Sequence, residues 1–383
     1  MKRRCKNVSI FDRALIERAV RACMQPGKKR RRRDTVAFFA DLMDCRLDEA
    51  REFLVARDGR YDKAVERVVE LLRKEMMEYR LRIGKVYMQR RRDGSNGKIR
   101  KISILHIKQL LLDHVAVVAL EEALGRMGEY QCSGFVGKGA HYGARAVRRW
   151  LRGEAPRYAV QMDIAHYFES IDHERLMAYL ERLVKNDDLL WLIRRLIGTC
   201  ERGLHVGSYL SQTLANLYLS GLYHEVGERM RARNGERLVE HVLFYMDDLL
   251  LVGTNRRHLQ QAGVKVVEHA AELGLSIKPG WRVFRVGRRN EAGGQPVDMM
   301  GFRFFRNVVT VRRRIFRRGR RALLRVLRCV QERRQVPVSL ARRCVTYKGY
   351  FDFSDCARFL AAARGRFVYK VAAMRVSLAE RMI

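Results

Sequence analysis

Phe244 to Gly253 reads FYMDDLLLVG. Two adjacent carboxylates, Asp247 and Asp248, stand between apolar runs, Leu243–Phe244 on one side and Leu249–Val252 on the other, that read as strands. A lone Asp-Asp pair is common on solvated turns, but these flanks place the pair off the surface. Burying neighbouring carboxylates is costly unless something positive lies between them. A divalent metal ion is the usual partner, and the pair alone does not say which chemistry the metal serves.

A second carboxylate lies upstream. In Tyr158 to Ile171, YAVQMDIAHYFESI, the residues Tyr158, Val160 and Met162 alternate with Ala159 and Gln161 as on a strand. Asp163 falls at the end of that run, and the residues after it read as a turn entering a helix. A strand-end Asp and a hairpin Asp-Asp supply three carboxylates that can converge on two Mg²⁺ ions, with Mn²⁺ as a substitute. Two such ions about 3.5–4 Å apart stabilise both the attacking and the leaving oxygen of an in-line phosphoryl transfer. Mg²⁺ suits hard oxygen ligands that it shares with substrate phosphates.

FYMDDLLLVG resembles the YxDD hairpin of reverse transcriptases, and Gln161 to Asp172, QMDIAHYFESID, resembles their first palm motif, with Asp163 as its metal-binding aspartate. Three further stretches follow in the family's order: GLHVGSYLSQTLANLYL (203–219), LGLSIKPGWRVFRV (273–286) and VDMMGFRFF (297–305), the last similar to a primer grip. Together they cover most of residues 95–305. The resemblance implies an α+β right-hand polymerase with fingers, palm and thumb, its antiparallel palm sheet backed by helices. The implied divisions are a basic helical N-terminal extension (1–80), fingers (81–160), palm (161–305) and a basic helical thumb (306–383).

The resemblance also assigns expected roles. Asp163, Asp247 and Asp248 are catalytic and hold the metal ions with the carbonyl of Ile164. Arg100, Lys101, Phe168, Val206, Gly207, Gln212 and Lys278 bind the nucleotide. Phe168 would block a ribose 2′-hydroxyl, with Tyr167 as the other candidate gate, and Lys278 would protonate pyrophosphate. Tyr245, Met246, Met300, Gly301 and Phe302 contact primer and template. Where relatives often carry Asp-Arg and a nearby Gln, this chain has Gln109, Leu110 and Asp113, which puts phosphate contacts from that helix in question. The middle motif, VGSxxSQ from Val206 to Gln212, is similar to that of diversity-generating retroelements of bacteria and phages, as are TYKGYFDFSD (346–355) and the basic helical leader. Val206 stands where most relatives place a Gln, and that likeness implies reduced base-selection fidelity.

Composition agrees with a polyanion partner. The 383 residues hold 78 Lys and Arg against 42 Asp and Glu, a formal charge of +36. Such a surface repels itself unless nucleic acid is near. Charge alone supports binding, not polymerisation. Eight scattered cysteines without a CxxC pair argue against a zinc ribbon and for reduced thiols. No apolar run long enough to span a membrane occurs, and the N-terminus lacks the apolar core of a signal peptide. A cytoplasmic, bacterial or phage-encoded protein is expected.

Residues 8–24 and 35–80 have helical spacing. Between them Lys28 to Arg33, KKRRRR, reads either as a solvated linker or as a clamp on RNA phosphates. DGSNG (93–97) marks the turn of a hairpin from Val86 to Leu105, with Lys98, Arg100 and Lys101 as phosphate ligands. FVGKGAH (135–141) reads as a glycine-flanked turn. VRRRIFRRGRRALLRVLRCVQERRQ (311–335) reads as a basic helix.

The function expected is an RNA-directed DNA polymerase that copies an RNA template into cDNA, error-prone within a diversity-generating retroelement. Its partners would be the RNA template, the RNA–DNA duplex, dNTPs and a small accessory protein, with no membrane. The alternatives are a phage-defence reverse transcriptase and a catalytically inactive RNA-binding protein on the same fold.

Overall fold

The computed structural model describes residues 3–25, 27–92, 97, 99–153, 155 and 157–381. Ten strands occur among them in chain order: β1 (Tyr87–Arg92), β2 (Ile99–Ile104), β3 (Gln131–Cys132), β4 (Arg157–Asp163), β5 (His241–Tyr245), β6 (Asp248–Gly253), β7 (Val283–Val286), β8 (Val297–Met299), β9 (Phe302–Phe304) and β10 (Val309–Val311). The central sheet has the order β3-β5-β6-β4-β7. Its strands are antiparallel except for β3, which joins β5 in parallel. Strand β4 begins at Arg157 and β3 precedes it, so residues from the expected fingers segment contribute to this sheet and the boundary at 160/161 runs through β4.

Strand β6 is apolar without interruption from Leu249 to Val252 because both its faces are covered. Val160 and Met162 of β4, and Leu249 and Leu251 of β6, enter one core, which is shared with the helices Ile107–Ala119, Tyr209–Tyr218 and Arg256–Glu272. Ala159, Leu250 and Val252 enter a second core on the opposite face, under the helix Ala140–Leu151 and the small sheet β8-β9-β10. Gln161 ties β8 to that second face: its amide nitrogen donates to the Asp298 carbonyl at 3.0 Å, and its amide oxygen accepts from the Asp298 N–H at 3.0 Å.

The helical spacing of 35–80 is carried by more than one helix. Three helices stand there, Arg33–Met43, Leu47–Ala56 and Gly59–Met77. Asp44 and Arg57 adopt left-handed backbone at φ +51° and +59°, which ends a helix. The Asp58 carboxylate then caps the next helix through the N–H groups of Arg60 and Tyr61. The basic run 28–33 is also not a uniform phosphate clamp. The Arg30 guanidinium is buried and donates to the carbonyls of Met24 and Leu54, and Arg32 donates to Asp34 and to the Leu105 carbonyl. Arg30 therefore ties parts of the leader to each other and Arg32 joins the leader to the body, while Arg31 and Arg33 remain exposed.

The hairpin β1–β2 forms with Arg91 opposite Arg100 and Arg90 opposite Lys101. Most of its expected turn, Asp93 to Asn96, and Lys98 lie outside the described residues. Beyond β10 come the helices Arg313–Gln331, Val338–Phe353, Ala357–Ala362 and Gly365–Arg381. The first buries Ile315, Gly319, Ala322, Leu323, Val326 and Cys329 along one stripe and carries arginines around the rest. All eight cysteines are free. Among the described residues no helix is long and apolar enough to cross a membrane.

Candidate active site

Asp163 is the last residue of β4, and Asp248 is the first of β6. The register pairs them directly. Directly opposed residues share a face of a sheet, here the face that also carries Gln161 and Leu250. Tyr245 pairs with Asp248, so Met246 and Asp247 form a two-residue turn between β5 and β6. Met246 holds φ +57°, a conformation that costs a non-glycine residue about 1–2 kcal/mol. The turn is pinned from two sides. The Asp247 carbonyl accepts the Ile164 N–H at 3.0 Å, and the Met246 sulfur accepts the Asn216 side-chain amide at 3.0 Å. Asn216 also reaches the carbonyls of Ser133 at 3.2 Å and Gln212 at 3.0 Å.

The three carboxylates feel one another. Burial raises the Asp247 carboxyl above the usual range and the Asp163 charge raises it further, against Arg100 and Lys278. Burial pushes Asp248 up to about 6, with Asp247 and Asp163 adding to it and Arg312 and Lys278 opposing. Lys278 is fixed by its N–H to the Asp163 carbonyl at 2.9 Å, and its ammonium makes an ion pair with the Asp163 carboxylate. A cation thus already stands against this cluster. Among the described residues no three acidic, His or Cys side chains close into a ready-made metal cage. The donor set is nonetheless all hard oxygen on one sheet edge, which fits Mg²⁺ or Mn²⁺ taking one or two carboxylates and completing its shell from substrate phosphates.

The other expected residues lie in varied surroundings. Tyr167 is buried and donates its hydroxyl to the Ala215 carbonyl at 2.5 Å, whereas Phe168 is half-buried. Val206 is half-buried and its carbonyl accepts the Ser103 N–H of β2 at 2.9 Å. Gly207 is exposed at φ +114°, and a Cβ there would meet Ile102 and the Ser103 carbonyl, each at 3.1 Å. Gln212 is half-buried beside Gly134. Lys101 lines a cavity of about 530 Å³ with His166, Glu169, Ser170 and Arg202. Tyr245 is half-buried in the second core. Met246, Met300 and Phe302 turn their side chains inward, and Phe302 packs on Phe353 with ring centroids 4.9 Å apart. Gly301 is buried with them, and Phe302 exposes neither side chain nor backbone. Gly301 holds φ +86°, and a Cβ would meet Tyr350 at 2.6 Å.

Gln109 and Asp113 are buried and face the protein. Gln109 donates to Thr199 at 2.8 Å. Asp113 accepts the Ser208 hydroxyl at 2.6 Å, and Ser208 in turn caps the helix Tyr209–Tyr218 through the Ser211 N–H. Sequence reading missed three groups. Asn216 was the one strongly polar residue after Gln212 on an apolar helix, a signal that it has a buried partner. Arg312, paired with Asp298, is hidden in an arginine run. Arg202 carries no pattern at all.

Residues 90–304 match the family described as reverse transcriptase (RNA-dependent DNA polymerase). No curated protein matches the chain. Among solved structures, apo telomerase from Candida tropicalis truncated from its C-terminal domain is similar over 60% of this chain at 10% identity and a TM-score of 0.44. The chain spans 55% of that telomerase chain. With more than half its length matched, the chain belongs to the reverse transcriptase family of RNA-dependent DNA polymerases.

Proposed function

We propose that this chain copies an RNA template into DNA by nucleotidyl transfer at Asp163, Asp247 and Asp248, as the error-prone polymerase of a diversity-generating retroelement. The observation that supports it most is the β4–β6 register, which sets Asp163 opposite Asp248 with Asp247 at the hairpin corner. Bound by these carboxylates and the Ile164 carbonyl, a pair of Mg²⁺ ions would supply the charge that stabilises the attacking and leaving oxygens. The residues do the rest. Arg100 and Lys101 draw in the triphosphate. Lys278, already against Asp163, holds a proton where pyrophosphate leaves. Phe168 presents its ring where a ribose 2′-hydroxyl would sit. Fingers, palm and thumb are then centred on residues 81–160, 161–305 and 306–383, with β3 and the whole of β4 belonging to the palm sheet and a template–primer duplex along the arginine face of Arg313–Gln331.

The subclass rests on Val206, Gly207 and Gln212 in the middle motif and on the 346–355 stretch. Val206 can offer an incoming base no side-chain hydrogen bond. A small accessory protein fits the same reading. Primer extension on an RNA template with Mg²⁺ and dNTPs tests the polymerase. Wild type should extend, and Asp247→Ala Asp248→Ala should not. Extension by the double variant would sink the assignment, and efficient incorporation of rNTPs would make the enzyme an RNA-producing one.

A further inference from the structure

The outer face of the small sheet carries Asp298, Arg303 and Thr310 side by side on β8, β9 and β10. Arg303 is exposed, while its neighbours Phe302 and Phe304 go into the core. Beyond it an open cavity of about 660 Å³ lies between this sheet and the helices Arg313–Gln331 and Ala357–Ala362. Its floor is aromatic. Phe316 and Phe359 pack with centroids 5.3 Å apart, and Phe305 lies under the Arg303 guanidinium at 5.6 Å. Its rim is cationic: Arg289, Arg313 and Arg358 join Arg303.

These four guanidinium groups form no ion pair among the described residues. The one carboxylate lining the cavity, Asp355, is already engaged. It accepts the Val309 N–H at 2.7 Å and faces Arg148 at 3.4 Å. Four like charges around one concavity call for an anion. A bare phosphate would account for the rim and leave the phenyl floor unused. A phosphate joined to a flat ring uses both, since bases stack on aromatic faces and guanidinium planes at about 1–3 kcal/mol per base. The cavity is distinct from the aspartate cluster. Thr310 lies two strands out from Asp298, about 10 Å across the sheet, and Asp298 is the residue that Gln161 clamps to β4.

We propose that this cavity is a second nucleic-acid site, one that holds an unpaired nucleotide segment by stacking a base on Phe305, Phe316 and Phe359 and pairing its phosphates with Arg289, Arg303, Arg313 and Arg358. It acts as an anchor for single strand outside the catalytic edge, and nothing in it requires polymerase chemistry.

The test is fluorescence anisotropy with labelled ten-nucleotide oligo-U and oligo-dT. The full chain carries Asp247→Ala Asp248→Ala throughout, so that catalysis does not enter. Adding Arg303→Gln Arg358→Gln should weaken binding at least tenfold and make the salt dependence shallower by about two phosphate contacts. The control pair Arg51→Gln Arg256→Gln, equal in charge and exposed elsewhere, should change it less than twofold. Phe305→Leu keeps an apolar group and should weaken binding several-fold with no change in salt slope. Loss on both oligomers supports a site for either strand, and loss on oligo-U alone supports one for RNA. The proposal is overturned if the cavity pair behaves like the control pair, as it would were the cavity a protein-docking surface. It is overturned equally if a blunt RNA–DNA duplex loses as much affinity as the single strands.

Discussion

Replacing Asp113 by Asn should change how the protein's stability depends on pH. Asp113 is fully buried, and burial raises its carboxyl from 3.8 to about 7, while the Ser208 hydroxyl and the Leu210 backbone hold it down. In the unfolded chain it titrates near 3.8. Between these values the native state holds a proton that the unfolded state has lost, so stability falls as pH rises through this window and levels off above about 7. At 1.36 kcal/mol per unit, the penalty is roughly 2 kcal/mol at pH 5 and roughly 4 kcal/mol at pH 8. Asn cannot ionise, and its carbonyl oxygen can still accept the Ser208 hydroxyl. Its new amide donor costs a constant amount at every pH. The difference between variant and wild type should therefore move in favour of Asn by roughly 2–3 kcal/mol from pH 5 to pH 8, whatever its starting sign. Urea unfolding of both proteins at pH 5, 6, 7 and 8 measures it, and the subtraction removes the other titrating groups. A difference that stays flat across the series would show Asp113 ionised in the native state and refute the reasoning.

Asn216→Ala removes the amide that holds Met246 and should lower kcat about 10- to 100-fold through a displaced Asp247, with KM for dNTP little changed. Steady-state primer extension reads the split, and an unchanged kcat counts against a positioning role. Phe168→Ala should lower discrimination against rNTPs at least tenfold. Tyr167→Phe, which loses only a buried hydroxyl bonded to Ala215, should leave discrimination intact and cost about 1 kcal/mol of stability. Competition between dNTP and rNTP on one template compares them. Val206→Gln should reduce misincorporation opposite template adenine, read by sequencing the products. Equal error rates in the two enzymes would refute the fidelity reading.

The meeting of the three carboxylates was legible because two strong signals converged there. Period-two alternation placed Asp163 at a strand end, and apolar flanks placed Asp247 and Asp248 in a hairpin. Other features came from contacts that a local reading does not contain. Strand β3 is two residues long and exists only because Gln131 and Cys132 lie beside Phe244 and Tyr245. Strand β10, Val309–Val311, was missed because it runs straight into an arginine helix, and only its pairing with β9 makes it a strand. The 35–80 stretch kept its helical spacing, but Asp44 and Arg57 broke it with a backbone conformation that neither residue type announces. Arg30 looked like its neighbours in a basic run, and only the carbonyls of Met24 and Leu54 distinguish it.

The arrangement of β4 and β6 explains why three acids can sit at the edge of two apolar cores. Side chains alternate faces along a strand, and both faces of these strands are buried, so a carboxylate anywhere in their middle would be enclosed. Asp163 escapes by ending β4, and Asp248 by beginning β6, where the antiparallel register brings those two ends together. A slip of one residue would turn Asp248 toward the opposite core and leave Asp163 facing Leu249. Leu249 and Leu251 on one face, and Leu250 and Val252 on the other, resist that slip, because they fill cores with different neighbours. The hydrophobic pattern that builds the sheet is thus also what holds the acids in register. The site remains half-desolvated, which raises Asp247 and Asp248 and makes a cation between them worth more than it would be in water.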